Sequence, residues 1–336
     1  MSHAVEVAFE GTLRVGVLGS PTGWYMKDLH RAADSMPVSK KTVVESLSFS
    51  KLSVWSDGNS FPSARTWTQG NEVADCPKSI ALADCNSILV RSMPMGSVEQ
   101  IIFRMNALHT AQACGVNVVN PPRCLEIAID KWLTLDIAMR AGLLTPKTIC
   151  CQTRDDALRA WEALGGDCIV KPIFGGEGRG IVRVSDSDMA WRVFSTLEQL
   201  QSVIYVQEFL ESEGYDLRLL VVGEELFCVR RENHGDWRSN VSRGGQAIPH
   251  EPTFEQISIA YQACKAIEGW MIGVDILPTK DGRNVLLELN AVPGWRATAG
   301  ALNVDMAQLL LHRLHERARS ATKHPNSPTG SFNTSR

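Results

Sequence analysis

Two apolar runs that meet at a tight turn constrain this chain more than any other feature. Ile272-Gly-Val-Asp-Ile-Leu-Pro-Thr279 and Asn284-Val-Leu-Leu-Glu-Leu-Asn290 flank Asp281-Gly282, a dipeptide suited to a two-residue hairpin loop. Counting outward from that loop places Asp275 directly across from Glu288. Asn290 lies two residues further on and shares the face of Glu288. The neighbours Val274, Ile276, Leu287 and Leu289 mark the hairpin as buried and ordered. Two opposed carboxylates in that setting repel each other unless a cation lies between them. With the amide oxygen of Asn290 they form a set of hard oxygen donors, the kind Mg²⁺ takes up together with substrate phosphates. The rival reading, a solvated acidic face, does not suit the apolar neighbours.

A second stretch points the same way. In Lys171-Pro-Ile-Phe-Gly-Gly-Glu-Gly-Arg-Gly180 a lysine closes an apolar strand, and Gly175, Gly176, Gly178 and Gly180 crowd the link to the next one. Backbone N–H groups gathered in such a loop suit phosphate oxygens, and Lys171 would add positive charge. No Gly-Lys-Ser/Thr follows, so this is not a Walker loop. Taken alone, it reads equally well as a flexible hairpin with a surface lysine. Arginines cluster further on, at Arg218, Arg230-Arg231, Arg238 and Arg243. Guanidinium forks bind phosphates and carboxylates bidentately.

Composition removes some rivals. Lys plus Arg total 34 against 37 Asp plus Glu, a net charge of −3, and acidic residues interleave with the arginines. No global basic field draws nucleic acid to such a chain. No apolar run approaches the roughly 18 residues of a membrane span. Met1–Gly11 carries Glu6 and Glu10 without a secretion-signal pattern, so the expected location is cytoplasmic. The 9 cysteines include no Cys-x-x-Cys pair and read as reduced, mostly buried thiols. His312 and His315 read as a partly solvated helix face.

At 336 residues the chain is long enough for two or three domains. Its first part alternates strands (Leu13–Gly19, 42–49, Ser87–Arg91, Gly115–Asn120) with helices (24–34, 97–114), the pattern of a parallel sheet. A polar, Ser-rich stretch at 53–79 interrupts it. Gly16-x-x-Gly19 lacks the spacing of a dinucleotide fingerprint, which leaves no reason to invoke NAD. After Pro121-Pro122 come helix 130–141, strands Cys168–Pro172, Ile181–Val184 and Val203–Phe209, and helix 188–201. Long strands with hairpin signals run from 216, with helices at 254–267 and 304–317.

Ordered along the chain, these pieces resemble the ATP-grasp superfamily and, within it, the RimK-like α-L-glutamate ligases. The resemblance rests on Asp130-Lys131, Lys171 with its glycine loop, Gln207-Glu-Phe-Leu210 and Gly214-Tyr-Asp-Leu-Arg218. It continues through Arg230-Arg231, Gly235-Asp-Trp-Arg-Ser-Asn240, Arg243-Gly-Gly, Gly273-Val-Asp275 and Glu288-Leu-Asn290-Ala-Val-Pro-Gly294. It implies an α/β chain, α+β in its C-terminal half. A parallel-sheet pre-ATP-grasp domain (1–125) would precede the ATP-grasp central, or lid, subdomain (126–205) and C-terminal subdomain (206–318), with a disordered tail at 319–336.

The resemblance also implies roles. Lys131 and Lys171, with Gly175, Gly176 and Gly178, would hold ATP phosphates. Glu208, Phe209 and Leu210 would form the adenine hinge, and Asp216 would reach the ribose. Arg238, Ser239 and Asn240 match a further nucleotide segment, and Asp275, Glu288 and Asn290 match ligands for Mg²⁺, or Mn²⁺ in its place. Arg218, Arg230 and Arg243 are the candidates for acyl-phosphate and acidic-substrate contacts. The implied activity is ADP-forming carboxylate–amine ligation that adds L-glutamate to a coenzyme, such as a pterin-type C1 carrier, or to a protein. No nucleic acid or membrane partner is expected, and a homo-oligomeric state stays open. The family usually has Asn-Ala-Ser-Pro-Gly where Asn290-Ala-Val-Pro-Gly294 stands, which leaves the acceptor open. Alternatives are a D-alanine–D-alanine-type or carrier-protein aminoadipate ligase, or a nucleotide-binding regulatory module without turnover.

Overall fold

In a computed structural model of the chain, the described residues are 11–56, 58, 62–67, 79–176, 178–233 and 245–323. They form two compact units, divided after Val118, with the residues from Asp305 onward belonging to the first.

The first unit opens with β1 (Leu13–Leu18), α1 (Trp24–Asp34) and β2 (Thr42–Leu47). Then come β3 (Ser53–Trp55), β4 (Ser63–Trp67), β5 (Ser79–Ala81), β6 (Ser87–Val90), α2 (Val98–Ala113) and β7 (Asn117–Val119). The main sheet runs β2-β1-β6-β7, and β1 pairs in parallel with both β2 and β6, as the strand–helix alternation predicts. Its core is drawn from near-continuous apolar strands: Leu13, Val15, Val17, Ile88 and Leu89 are all buried. The Ser-rich stretch is not merely an interruption, because β3, β4 and β5 build a small antiparallel sheet of their own there. Ala64 and Ile80 are buried in it, single apolar positions too sparse to stand out in a polar sequence.

The second unit starts with α3 (Pro122–Ile129), α4 (Lys131–Arg140), β8 (Thr148–Cys151), α5 (Arg154–Ala163), β9 (Cys168–Lys171), β10 (Val182–Val184), α6 (Ser187–Gln199) and β11 (Ile204–Glu208). An antiparallel sheet runs β10-β9-β11-β8. Cys168, Val170, Val184, Ile204 and Val206 on one face pack against Ala157 and Ala160 of α5 and Ala190 and Phe194 of α6. By the strand period of two, Thr148, Lys171, Tyr205 and Gln207 belong to the other face.

The chain continues with β12 (Tyr215–Val222), β13 (Glu225–Glu232), β14 (Gln246–Pro249), α7 (Phe254–Ala266), β15 (Met271–Pro278), β16 (Asn284–Asn290) and α8 (Arg296–Leu302). The five strands order as β14-β13-β12-β15-β16, every neighbouring pair antiparallel. Asp275 does stand across from Glu288, though not by the simple count. The loop has three residues, Lys280-Asp281-Gly282, closed by Thr279 N–H to Arg283 C=O at 2.9 Å, with Gly282 at φ +84°. That shifts the register by one, and the pairing skips Leu287, a bulge that shifts it back.

Finally α9 (Met306–Lys323) belongs to the first unit. Leu310, Leu311 and Leu314 are buried, and the His315 ring shares a 2.8 Å hydrogen bond with the Thr42 hydroxyl. At 3% exposure His315 is a core residue, which corrects the solvated-face reading; His312 is half-buried, 3.0 Å from the Lys40 ammonium. The helix also covers 319–323, and the rest of the expected tail lies outside the described residues. Every described cysteine is a free thiol. No helix among the described residues is long and apolar enough to cross a membrane.

Candidate active site

Two buried lysines, Lys131 and Lys171, feel the charge of Glu288 on the β15–β16 hairpin. Asp130 caps α4, its carboxylate accepting from the N–H groups of Trp132 and Leu133, and so fixes where Lys131 leaves the first turn. The Lys131 ammonium donates to Gly175 C=O at 2.6 Å, which ties the helix to the glycine loop. Lys171 ends β9 beside Tyr205 of β11, its ammonium 5.1 Å above the centre of that ring. Each lysine is only 8% exposed. Burial lowers both ammonium pKa values, Lys171 to about 8, and the charge of Glu288 is the largest effect opposing it. In the loop Gly175 and Gly178 adopt φ of +105° and +69°, a backbone region that other residues enter only with strain, while Gly176 does not.

The face of β12, β13, β15 and β16 carrying Asp275 is densely charged. Arg218, across from Asp275 on β12, engages both its carboxylate oxygens, with Nη2 to Oδ2 at 2.9 Å. Arg231 reaches the same carboxylate at 3.0 Å and also holds Asp216 bidentately, at 2.6 and 2.8 Å. Burial would raise the Asp275 carboxyl, but the two guanidiniums outweigh it and hold it below the usual range. Gly273 leaves room for Arg218: a Cβ there would lie 3.1 Å from its Nη1.

The expected cation ligands can be tested against this geometry. Asp275 accepts three N–H donors on roughly four lone-pair sites, leaving one on Oδ1. Asn290 Oδ1 accepts Val292 N–H at 2.8 Å and keeps a second lone pair. Glu288 is half-buried, and among the described residues no donor hydrogen-bonds to it. The donor set therefore suits a hard divalent cation, with Glu288 the least committed member.

At the expected hinge, Glu208 Oε1 accepts Lys147 N–H at 2.7 Å, and the ring of Phe209 lies 3.5 Å under the Arg183 guanidinium. The N–H groups of Glu208 and Phe209 donate to Lys147 and Asp167 C=O, whereas among the described residues the N–H of Leu210 donates to nothing.

Alternation along β13 separates the two adjacent arginines. Arg231 is on the Asp275 face, while Arg230 bonds Glu232 at 2.7 Å and lies 5.6 Å from the Tyr215 ring, on the other. Sequence reasoning singled out Arg230 and passed over Arg231. The two-residue turn Gly223-Glu224 held the missing signal, since counting from it pairs Asp216 with Arg231. Arg238, Ser239, Asn240 and Arg243 lie outside the described residues.

A family model described as a RimK-like ATP-grasp domain matches residues 128–314. The tetrahydromethanopterin:alpha-L-glutamate ligase of Methanosarcina acetivorans is 31% identical over 265 residues, 70% of this chain and 81% of that protein. The alpha-aminoadipate–LysW ligase LysX of Sulfolobus acidocaldarius is 28% identical, across 60% of this chain and 74% of its own length. A solved RimK-domain ATP-grasp protein from Sphaerobacter thermophilus superposes with a TM-score of 0.64 at 18% identity, covering 89% of this chain and 98% of that one.

Proposed function

The chain belongs to the RimK-like ATP-grasp family and is a ligase of that fold, and we propose that it joins L-glutamate to an acceptor in amide linkage through an acyl phosphate formed from ATP. One observation carries this reading: two desolvated ammonium groups feel the charge of Glu288 on the hairpin of oxygen donors, and one of them is bonded to the glycine loop. A buried, under-compensated positive charge costs stability unless an anion visits it, and a triphosphate is such an anion.

The roles follow. Lys131 and Lys171 bind phosphate oxygens, and the loop held by the Lys131–Gly175 bond keeps water from the reacting centre. With two of the three hinge N–H groups already bonded, Leu210 supplies the one that reads the purine edge. Asp275, Glu288 and Asn290 would hold Mg²⁺, which neutralises charge on the transferring phosphoryl group. A substrate carboxylate oxygen attacks the γ-phosphorus and ADP leaves. The amine nitrogen of the other substrate then attacks the acyl carbon, phosphate leaves, and an amide forms with loss of a proton. Positioning and charge neutralisation suffice for both steps. Arg218 is placed to contact the acidic substrate or the acyl phosphate.

The glutamate ligase from Methanosarcina acetivorans supports glutamate and a pterin coenzyme as the two molecules joined. The aminoadipate ligase relative supports a second reading, in which the acceptor is a small carrier protein. Incubation with ATP, Mg²⁺, labelled glutamate and each acceptor class separates them by mass spectrometry. The expected result is ADP and an acceptor heavier by one glutamyl unit. AMP in place of ADP overturns the acyl-phosphate route. Asn290→Ala is expected to lower kcat by at least a hundredfold with an unchanged fold; full activity removes Asn290 from the site.

A further inference from the structure

Lys171 is held in an unusual way for a buried cation. Among the described residues no hydrogen-bond acceptor reaches its ammonium, and the aromatic face of Tyr205 is its close support, at 5.1 Å. Tyr205 is fully buried. Strand pairing explains why the two groups meet: Tyr205 stands directly across from Lys171 on β9, and Gln207, the next residue on that face, stands across from Thr148 on β8. The ring is locked from its far end. The Gln207 side-chain amide donates to the Tyr205 hydroxyl at 3.1 Å and to Thr148 Oγ1 at 2.8 Å. Thr148 in turn donates to Pro146 C=O at 3.0 Å. Gln207 is 4% exposed, so this triad is a built feature of the interior.

A ring face attracts a cation without accepting a proton or satisfying a fixed donor direction. The ammonium keeps all three N–H donors for a ligand while its position is set. A carboxylate in the same place would pair with the lysine and compete with an incoming anion. We propose that Tyr205 is a positioning residue for nucleotide binding, presenting the Lys171 ammonium on its ring face while the Gln207–Thr148 bonds fix the ring. Gln207 was part of the sequence motif and had no role of its own; this gives it one. The inference rests on Lys171 as a phosphate contact, and the test separates the two.

Binding of ATP and of adenosine is measured by calorimetry at pH 7 on Tyr205→Phe and on proteins carrying mono-, di- and trifluorinated phenylalanine at 205. Fluorination weakens the ring's hold on a cation while nearly preserving its shape. The expected result is a log-linear rise in the ATP dissociation constant across the series, about tenfold in total. Adenosine affinity and melting temperature are expected to stay flat. Constant ATP affinity across the series overturns the role of Tyr205. Lys171→Ala is the control: if it binds ATP as tightly as the native chain, the phosphate-contact reading fails and the inference falls with it. If it weakens ATP while the series stays flat, only the inference falls.

Discussion

At the scale of single residues, the site concentrates charge where water is scarce, and function and stability pull against each other there. Lys171 carries its proton at neutral pH although burial lowers its pKa from 10.5 to about 8. Below pH 8 both folded and unfolded chains hold that proton, and the folded state bears the full cost of burying it. As pH rises from 8 to about 10.5 the folded chain releases the proton first, and the cost disappears. Lys171→Met is therefore expected to stabilise the protein at pH 7, on the order of 2–3 kcal/mol, with little gain left near pH 10.5. It is also expected to weaken ATP binding at least tenfold. Denaturant unfolding at the two pH values and nucleotide titration check both halves. A destabilised variant at pH 7 would contradict the account of Lys171 as an under-compensated cation.

At the scale of elements, strand alternation decides which neighbour matters. Arg231 is buried between Asp216 and Asp275, with 7% of its side chain exposed, whereas Arg230 is 38% exposed beside Glu232. Removing Arg231 takes the bidentate pair from buried Asp216 and one of two guanidiniums from buried Asp275, so Arg231→Met is expected to cost about 3–5 kcal/mol, and Arg230→Met no more than about 1. Urea unfolding of the pair decides it, and equal losses would mean the face assignment is wrong. The same alternation explains what could be read from sequence. The Asp275–Glu288 pair was found by counting from an assumed two-residue loop. The loop is one residue longer and the Leu287 bulge compensates, so two unseen departures cancelled. Bulges depend on how a strand packs against its neighbours, and a lone sequence carries little trace of them. Thr148–Cys151 and Arg154–Ala163 escaped notice for a related reason. The strand is four residues with every position half-buried, so it shows no alternation, and its helix buries only Ala157 and Ala160. The lysines, the glycine loop and the hairpin carboxylates were legible because charged groups in apolar runs stand out. The Tyr205–Gln207–Thr148 support was not, since it exists only once three strands have paired.

At the scale of the whole molecule, the division of the chain is not linear. Local patterning separates strand–helix units well, and it placed the first unit's parallel sheet. It cannot say that a helix nearly two hundred residues later returns to that unit, because the sequence of α9 is amphipathic wherever it docks. Truncation after Val304 is expected to remove Leu310, Leu311, Leu314 and the His315–Thr42 bond from the first unit's core while leaving the second unit's strands intact. Hydrogen exchange should then show lost protection across β1, β2 and β6 and retained protection across β12 and β15. Uniform protection in both would mean that α9 is dispensable.

That return of α9 has a consequence for how the molecule is made. A ribosome emits β1, β2 and β6 early, but the helix that seals their core follows only after the whole second unit. The second unit can therefore close while the first still exposes apolar surface. Newborn chains wait in that half-finished condition until α9 has left the ribosome.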